Sequence, residues 1–171
     1  MAKIGLFYGT QTGNTQAAAE FIQAQFGGES VVDLNDMAEA DADDFAGYEC
    51  IIIGCPTWDI GGLQADWEAF YDDDLDNIDF SGKKVAYFAP GDQVGYADNF
   101  QDAIRILEEK ISSLGGKTVG QWPTEGYDFD ASKAVKNGQF VGLALDEDNQ
   151  SELTESRITT WVAQLKIAFG V

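Results

Sequence analysis

The chain has 171 residues, enough for one domain with a sizeable core, and its 44% hydrophobic and 23% charged residues are ordinary for a globular protein. The charge balance is not ordinary: ten Lys and Arg oppose thirty Asp and Glu, a net charge of -20, and residues 4–82 hold seventeen acids and no base. That argues against nucleic acid and anionic membranes as partners and in favour of a basic protein, and the lack of any histidine excludes histidine-based triads and metal sites.

The first apolar run, Ile4-Gly5-Leu6-Phe7-Tyr8, reads as a buried parallel strand. It feeds Gly9-Thr10-Gln11-Thr12-Gly13-Asn14-Thr15, and good helix formers follow from Gln16, with Phe21, Ile22 and Phe26 on one face. A strand, a tight polar loop and a helix start form a place for an anion. The helix N-terminus offers unpaired N–H groups and a positive dipole end, Gly9 and Gly13 let the backbone curl, and Thr10, Thr12 and Thr15 add hydroxyl donors. The loop matches neither G-x-x-x-x-G-K-[ST] nor G-x-G-x-x-G, and no Lys or Arg lies between Lys3 and Lys83. Neutral donors alone would hold the anion, which suits one terminal phosphomonoester. The competing reading is a Ser/Thr-rich turn that merely caps a helix.

Gly27-Gly28 closes this helix, and residues 29–34 read as a second strand. A short helix is expected over Asp41 to Phe45. The most apolar run, residues 49–55, reads as the central third strand, broken by a loop at residues 56–62. Cys50 and Cys55 stand an odd number of residues apart, which puts them on opposite faces as core thiols rather than a disulfide pair. Leu63 to Tyr71 is expected to be helical, with Leu63, Trp67, Phe70 and Tyr71 at helical spacing. Residues 83–89 read as the fourth strand, and 90–99 as a loop whose last residue, Asn99, caps a helix from Phe100 to Leu114. A fifth strand begins at 118–122 and resumes at 140–145 after a polar, loop-like insertion at 123–139. Glu152 to Phe169 closes the chain as a helix with Ile158, Trp161, Val162 and Leu165 inward.

Strands and helices alternate five times, which calls for an α/β, doubly wound, five-stranded parallel sheet with right-handed crossovers. Ligands of such sheets lie at the carboxyl ends of the strands. Three loops fall there, at 9–15, 56–62 and 90–99. The second carries Trp58 and the third Tyr96, and two aromatics beside a phosphate cradle make a clamp for a flat phosphorylated ring. No apolar stretch approaches the ~20 residues of a membrane helix, and the N-terminus lacks a signal-peptide pattern. The expectation is a monomer without metal or membrane insertion, in a reducing, cytoplasmic setting.

At this point the chain resembles the long-chain flavodoxins of cyanobacteria over its whole length. The resemblance rests on Gly9 to Thr15, Pro56-Thr57-Trp58, Gly91 to Asn99 with Tyr96 inside it, and Asp146-Glu147-Asp148-Asn149-Gln150. The strand order 2-1-3-4-5 is carried over from that family, which is the standard example of it, and the insertion in the fifth strand marks the long-chain class.

The resemblance implies one noncovalent FMN. Thr10, Gln11, Thr12, Gly13, Asn14 and Thr15 would hold its phosphate, and Trp58 and Tyr96 would flank its ring. Backbone groups of Pro56, Thr57, Trp58, Asp59, Ile60 and Gly61, and of Gly91, Asp92, Gln93, Tyr96 and Asn99, would meet the ring's polar edge. Thr57 and Asp148 are candidates for the ribityl hydroxyls. It implies an electron carrier rather than an enzyme, of low potential, replacing ferredoxin between photosystem I and ferredoxin–NADP reductase. Three departures from the family stand out: Asp59 in place of the usual Asn, Gly62 where Glu is common, and Ala89-Pro90 ahead of the third loop. Receiver domains share the fold, but they need an acidic cluster after the first strand and a Lys after the fifth. Here Gly9-Thr10 follows the first, and no Lys follows Leu145 before Lys166. A flavin-binding protein without redox partners and an FMN-using enzyme are the remaining readings.

Overall fold

The computed structural model describes residues 3–58 and 61–171. Its main sheet is parallel. β1 (Ile4–Tyr8) pairs with β2 (Val32–Asp36) on one side and with β3 (Cys50–Gly54) on the other. Two further strands have only two residues each, β4 (Thr57–Trp58) and β5 (Gly62–Leu63), and they pair antiparallel with each other. β6 (Lys84–Pro90) lies beside β3. The outer edge of β6 is shared by β7 (Lys117–Thr118) at its start and by β11 (Leu143–Leu145) at its end. Between these two pieces, β8 (Trp122–Pro123), β9 (Val135–Lys136) and β10 (Gln139–Phe140) form a small antiparallel sheet in the order β8-β10-β9. The expected order 2-1-3-4-5 is therefore present, with the fifth strand split by an insertion.

Alternation along the strands explains the two cores. Ile4, Leu6, Ile52 and Phe88 point to one face, under α1 (Asn14–Phe26) and α4 (Thr154–Phe169). Phe7, Ile51, Ile53 and Tyr87 point to the other, under α2 (Ala65–Asp73) and α3 (Asp102–Ser113). Cys50 belongs to the first core and Cys55 to the second, both as free thiols, as their odd spacing requires. The expected inward residues of α4, Ile158, Trp161, Val162 and Leu165, are all buried, as are Ala103, Ile104, Leu107 and Ile111 of α3. Each large apolar side chain so removed from water contributes about 1.5–3 kcal/mol before entropy is counted.

Several boundaries move. β2 starts at Val32 rather than Glu29, because Val31 and Val32 N–H groups both close a turn onto Gly28 O. Leu63 is a strand residue, so α2 begins at Ala65, capped by the Gln64 side chain on Trp67 N–H at 3.2 Å. Pro90 ends β6 instead of opening the loop; a terminal position tolerates a residue without an N–H, and it stands opposite Leu145. Asn99 does not cap α3. The N-cap is Gln101, in the left-handed region at φ 66, and Asn99 lies two residues further out. The insertion is less loop-like than its polar composition suggests, since it carries β9 and β10. Among the described residues, no helix is long and apolar enough to cross a membrane.

Candidate functional site

The carboxyl ends of β1, β3, β6 and β11 meet at one edge of the sheet, and the three predicted loops meet there too. After β1, Gly9 N–H donates to Gly54 O at 3.0 Å. Gly9 is required for a reason other than curling around an anion. A Cβ on it would stand 2.1 Å from Gln64 Oε1 and 2.8 Å from the Trp67 ring, so packing against the start of α2 excludes any side chain. Gly13 is the residue whose backbone freedom the turn uses: its φ is +90, it forms the N-cap of α1, and its N–H donates to Thr10 Oγ1 at 3.0 Å.

The first N–H groups of α1, on Asn14, Thr15 and Gln16, have no carbonyl within the helix to pair with, and no side chain among the described residues caps them. The first turn of α1 holds no acid, whereas α2 carries Asp66 and Glu68 there, α3 Asp102 and α4 Glu155. Among the described residues, this is the one α-helix start with no acid in its first turn. Thr12 and Asn14 are exposed beside it, with Gln11 and Gly13, while Thr10 is half-buried and Thr15 buried.

The second loop is a hairpin. β4 and β5 pair Thr57 with Leu63 and Trp58 with Gly62. Thr57 Oγ1 accepts the Ala103 N–H at 3.0 Å, which ties the hairpin to the first turn of α3 and leaves the hydroxyl proton free to donate. Trp58 is half-buried, and its Nε1 is buried without a hydrogen-bond partner among the described residues. Asp59 and Ile60, both expected at the site, lie outside the described residues. Gly61 follows them with φ +82.

The third loop is built on Asp92. Its Oδ1 accepts the N–H groups of Val94 at 3.1 Å and Gly95 at 2.7 Å and the Asn149 amide at 2.8 Å, and its carbonyl accepts Tyr96 N–H at 2.9 Å. Partial burial works against the Asp92 charge, but the Gly95, Asn149 and Val94 bonds outweigh it and hold the carboxyl below its usual range. Tyr96 is thereby presented at the surface, 44% exposed. Gln93 faces the other way. Its side chain is buried, donating through Nε2 to Asp146 Oδ2 at 2.7 Å and accepting the Asp128 N–H on Oε1. Asn99 also lies behind the loop, with its amide on Asp102 Oδ2 at 3.3 Å.

Thr12, Asn14, Pro56, Thr57, Trp58, Pro90, Gly91, Asp92, Tyr96 and Asp148 line a single cleft of about 320 Å³. Nine of these ten were expected from the sequence; Pro90 was not, having been noted only as a departure. The phosphate-loop end and the two aromatics therefore share one cavity. No Lys or Arg is among its lining residues. Sequence reasoning missed Asp146. It is fully buried and collects Gln93 N–H, the Gln93 amide, Asn149 N–H and the Asn149 amide at 2.7–3.1 Å, which fastens β11 to the third loop. The only available signal was its place in the matching segment 146–150, because a buried carboxylate and a solvated one look alike in sequence.

Carboxylate oxygens of Asp92, Asp146 and Asp148 lie within 4.8 Å of one another. Partial burial first, then Asp92, Asp146 and Glu147, push the Asp148 carboxyl above its usual range. A raised carboxyl pKa means that ionised Asp148 is disfavoured in the folded state, so its contribution falls as pH rises through the folded pKa. Asp148→Asn should therefore unfold at higher urea concentration than the parent at pH 7. That advantage should fade as pH falls through the raised value and on through the ordinary carboxylate range, below which Asp148 is neutral in both states. Urea titrations at pH 7 and pH 4 check the sign.

The flavodoxin family model matches residues 6–161. A flavodoxin from Synechocystis is 74% identical over 166 residues, 97% of each chain, and one from Synechococcus elongatus is 71% identical over 171 residues, the full length of both. Among solved structures, a Fusobacterium nucleatum flavodoxin bound to flavin mononucleotide superimposes with a TM-score of 0.92 at 32% identity, over 99% of each chain.

Proposed function

This chain belongs to the flavodoxin family of FMN-binding electron carriers, and from that premise we propose that its 171 residues act as one domain that holds a single FMN in the cleft and passes low-potential electrons to and from basic redox proteins. The observation that carries this reading is the cleft itself, which joins an acid-free helix start to Trp58 and Tyr96. Bound there, FMN would supply the redox chemistry, taking up and releasing electrons at its ring.

The residues present fit such a group. The free N–H groups at the start of α1, with the Thr12 hydroxyl and the Asn14 amide, would take the phosphate. Thr57, whose proton is free, and Asp148 would take the ribityl chain. Trp58 and Tyr96 would flank the ring, and the unpartnered Trp58 Nε1 is a buried donor that a bound group could satisfy. Backbone groups of residues 56–61 and 91–99 would meet the ring's polar edge. Gln93 and Asn99 would act from behind, by holding the loops. Asp92, Asp146 and Asp148 crowd one side of a cavity without cations, so further negative charge inside it is opposed, which favours a low potential.

The acidic surface supports steering toward a basic face, such as that of a ferredoxin–NADP reductase, with photosystem I as the matching donor in a photosynthetic cytoplasm. The test is to release the flavin of the purified protein with acid, expecting one FMN per chain, and then to follow its reduction by a ferredoxin–NADP reductase in stopped flow across a salt series. The rate should fall at high ionic strength once complex formation limits it. FAD or no flavin would overturn the cofactor assignment, and a rate indifferent to salt would overturn electrostatic docking.

A further inference from the structure

A second cavity, of about 280 Å³, opens beside the cleft, between the first two turns of α1 and of α4. Asn14 and Pro90 line both cavities. The apolar lining of the second includes Ala18 and Phe21 of α1, Leu145 of β11 and Ile158 of α4; Phe21 is half-buried and the other three are buried. Its charged lining is wholly acidic: Glu147 is half-buried, and Glu155 is exposed on the first turn of α4. Glu147 Oε1 accepts the Thr154 hydroxyl, which holds that carboxylate at the start of α4. Among the described residues, neither Glu147 nor Glu155 is in an ion pair.

From this pairing of an apolar wall with two unpaired carboxylates we infer that the cavity binds a small amphipathic monocation, an ammonium carried on one apolar group. Its volume is near the lower limit of small-molecule sites, about 300 Å³, which suits one ring with a short arm. The ring would pack on Phe21, Leu145 and Ile158, and the ammonium would offer its three donors to the carboxylates. An anion would meet those carboxylates as like charges, and a neutral ligand would leave them without a counter-charge. The positive ends of α1 and α4 lie at the same place, but each amounts to about half a charge, so the two carboxylates outweigh them. The cavity also has a consequence for the cofactor, which rests on the function proposed above. The neighbouring cleft would hold a phosphate without any cation among its lining residues, and an ammonium in the adjoining cavity supplies positive charge close to it. FMN and the amine should therefore bind with positive coupling, each favouring the other by the same factor. Recognition of the amine itself does not depend on that function.

The probe is 2-phenylethylammonium, in ~0.15 M salt, where a Debye length of about 8 Å screens the general attraction of so acidic a chain. In the flavin-free protein it should shift the amide NMR signals of Ala18, Phe21 and Ile158 saturably. It should bind about tenfold or more tightly than 2-phenylethanol, which lacks the charge, or ethylammonium, which lacks the ring. Glu147→Gln keeps an acceptor for Thr154 and should weaken the amine about fivefold or more. Glu29→Gln makes the same change of net charge beyond the other end of α1 and should change nothing. Ala17→Leu fills the cavity from an exposed helix position, and should abolish amine binding while FMN affinity stays as it was. With the amine saturating, FMN should bind about threefold or more tightly, and riboflavin, which has no phosphate, no more tightly than before. Equal binding of 2-phenylethanol, equal losses in Glu147→Gln and Glu29→Gln, or the absence of a saturable shift would overturn the site. Equal tightening of riboflavin, or none of FMN, would overturn the coupling. No amine binding together with slower reduction of Ala17→Leu by a ferredoxin–NADP reductase would assign the cavity to a partner's side chain and overturn the small ligand. A parent chain that binds no flavin would overturn the proposed function and leave the flavin-free arm to decide what the cavity binds.

Discussion

Riboflavin should bind this chain roughly a thousandfold more weakly than FMN, a difference of about 4 kcal/mol, made of two or more charge-assisted hydrogen bonds worth about 1.5–3 kcal/mol each. The two ligands share the ring and the ribityl chain, so Trp58, Tyr96 and Thr57 should serve them alike. They differ in the phosphate, and the start of α1 is where it would lie. No cation lines the cleft, so backbone N–H groups, hydroxyls and the helix dipole must carry the whole of that difference. Thr12→Ala should accordingly weaken FMN by about 1.5–3 kcal/mol and riboflavin much less. Fluorescence titration of the flavin-free protein with both ligands measures each affinity. Equal losses for FMN and riboflavin in Thr12→Ala would show that the loop does not hold a phosphate.

The second large effect is expected at Asp146. Asp146→Ala deletes the acceptor shared by two N–H groups and two side-chain amides, and it does so at a site with no exposure to water. Each buried donor left without a partner costs about 1–3 kcal/mol, partly relieved here because the Asn149 amide keeps its bond to Asp92 Oδ1. The sum points to a loss of about 4 kcal/mol in urea unfolding of the flavin-free protein at pH 7. Asp146→Asn keeps one acceptor oxygen and should lose less. The Tyr96 loop hangs from this carboxylate through Gln93, so FMN affinity should fall with stability. A loss below about 1 kcal/mol would mean that water replaces the carboxylate without cost, contrary to its complete burial.

Other parts of the site show why carboxylates were hard to rank from sequence. Asp92, Asp102, Asp146 and Asp148 are the same residue type in similar polar stretches, yet Asp102 and Asp146 are fully buried while Asp148 is exposed. Asp102 stands in a polar stretch at the start of α3, and its contact with Gly61 joins residues 41 positions apart. Gln93 and Asn99 were read with the cofactor because they lie in the right loop. Only the packing of residues 126–133 behind that loop turned their side chains away from the cleft.

The sequence by itself determined the alternation of strands and helices, the two faces of the sheet, the split fifth strand and the three loops at one edge. Each of these follows from short-range periodicity, apolar run length and turn residues, which operate within about ten positions along the chain. It also determined the acidity and the absence of cations from the first half, which are sums over residues and need no fold. Only the tertiary structure decided that Gly9 is demanded by Gln64 and Trp67, that Pro90 can end a strand because Leu145 stands beside it, and that Asp146 and Asp102 are buried. The physical reason is common to all three. Burial and close approach are set by partners 31 to 58 residues away, and a residue's own neighbours in sequence carry no record of them.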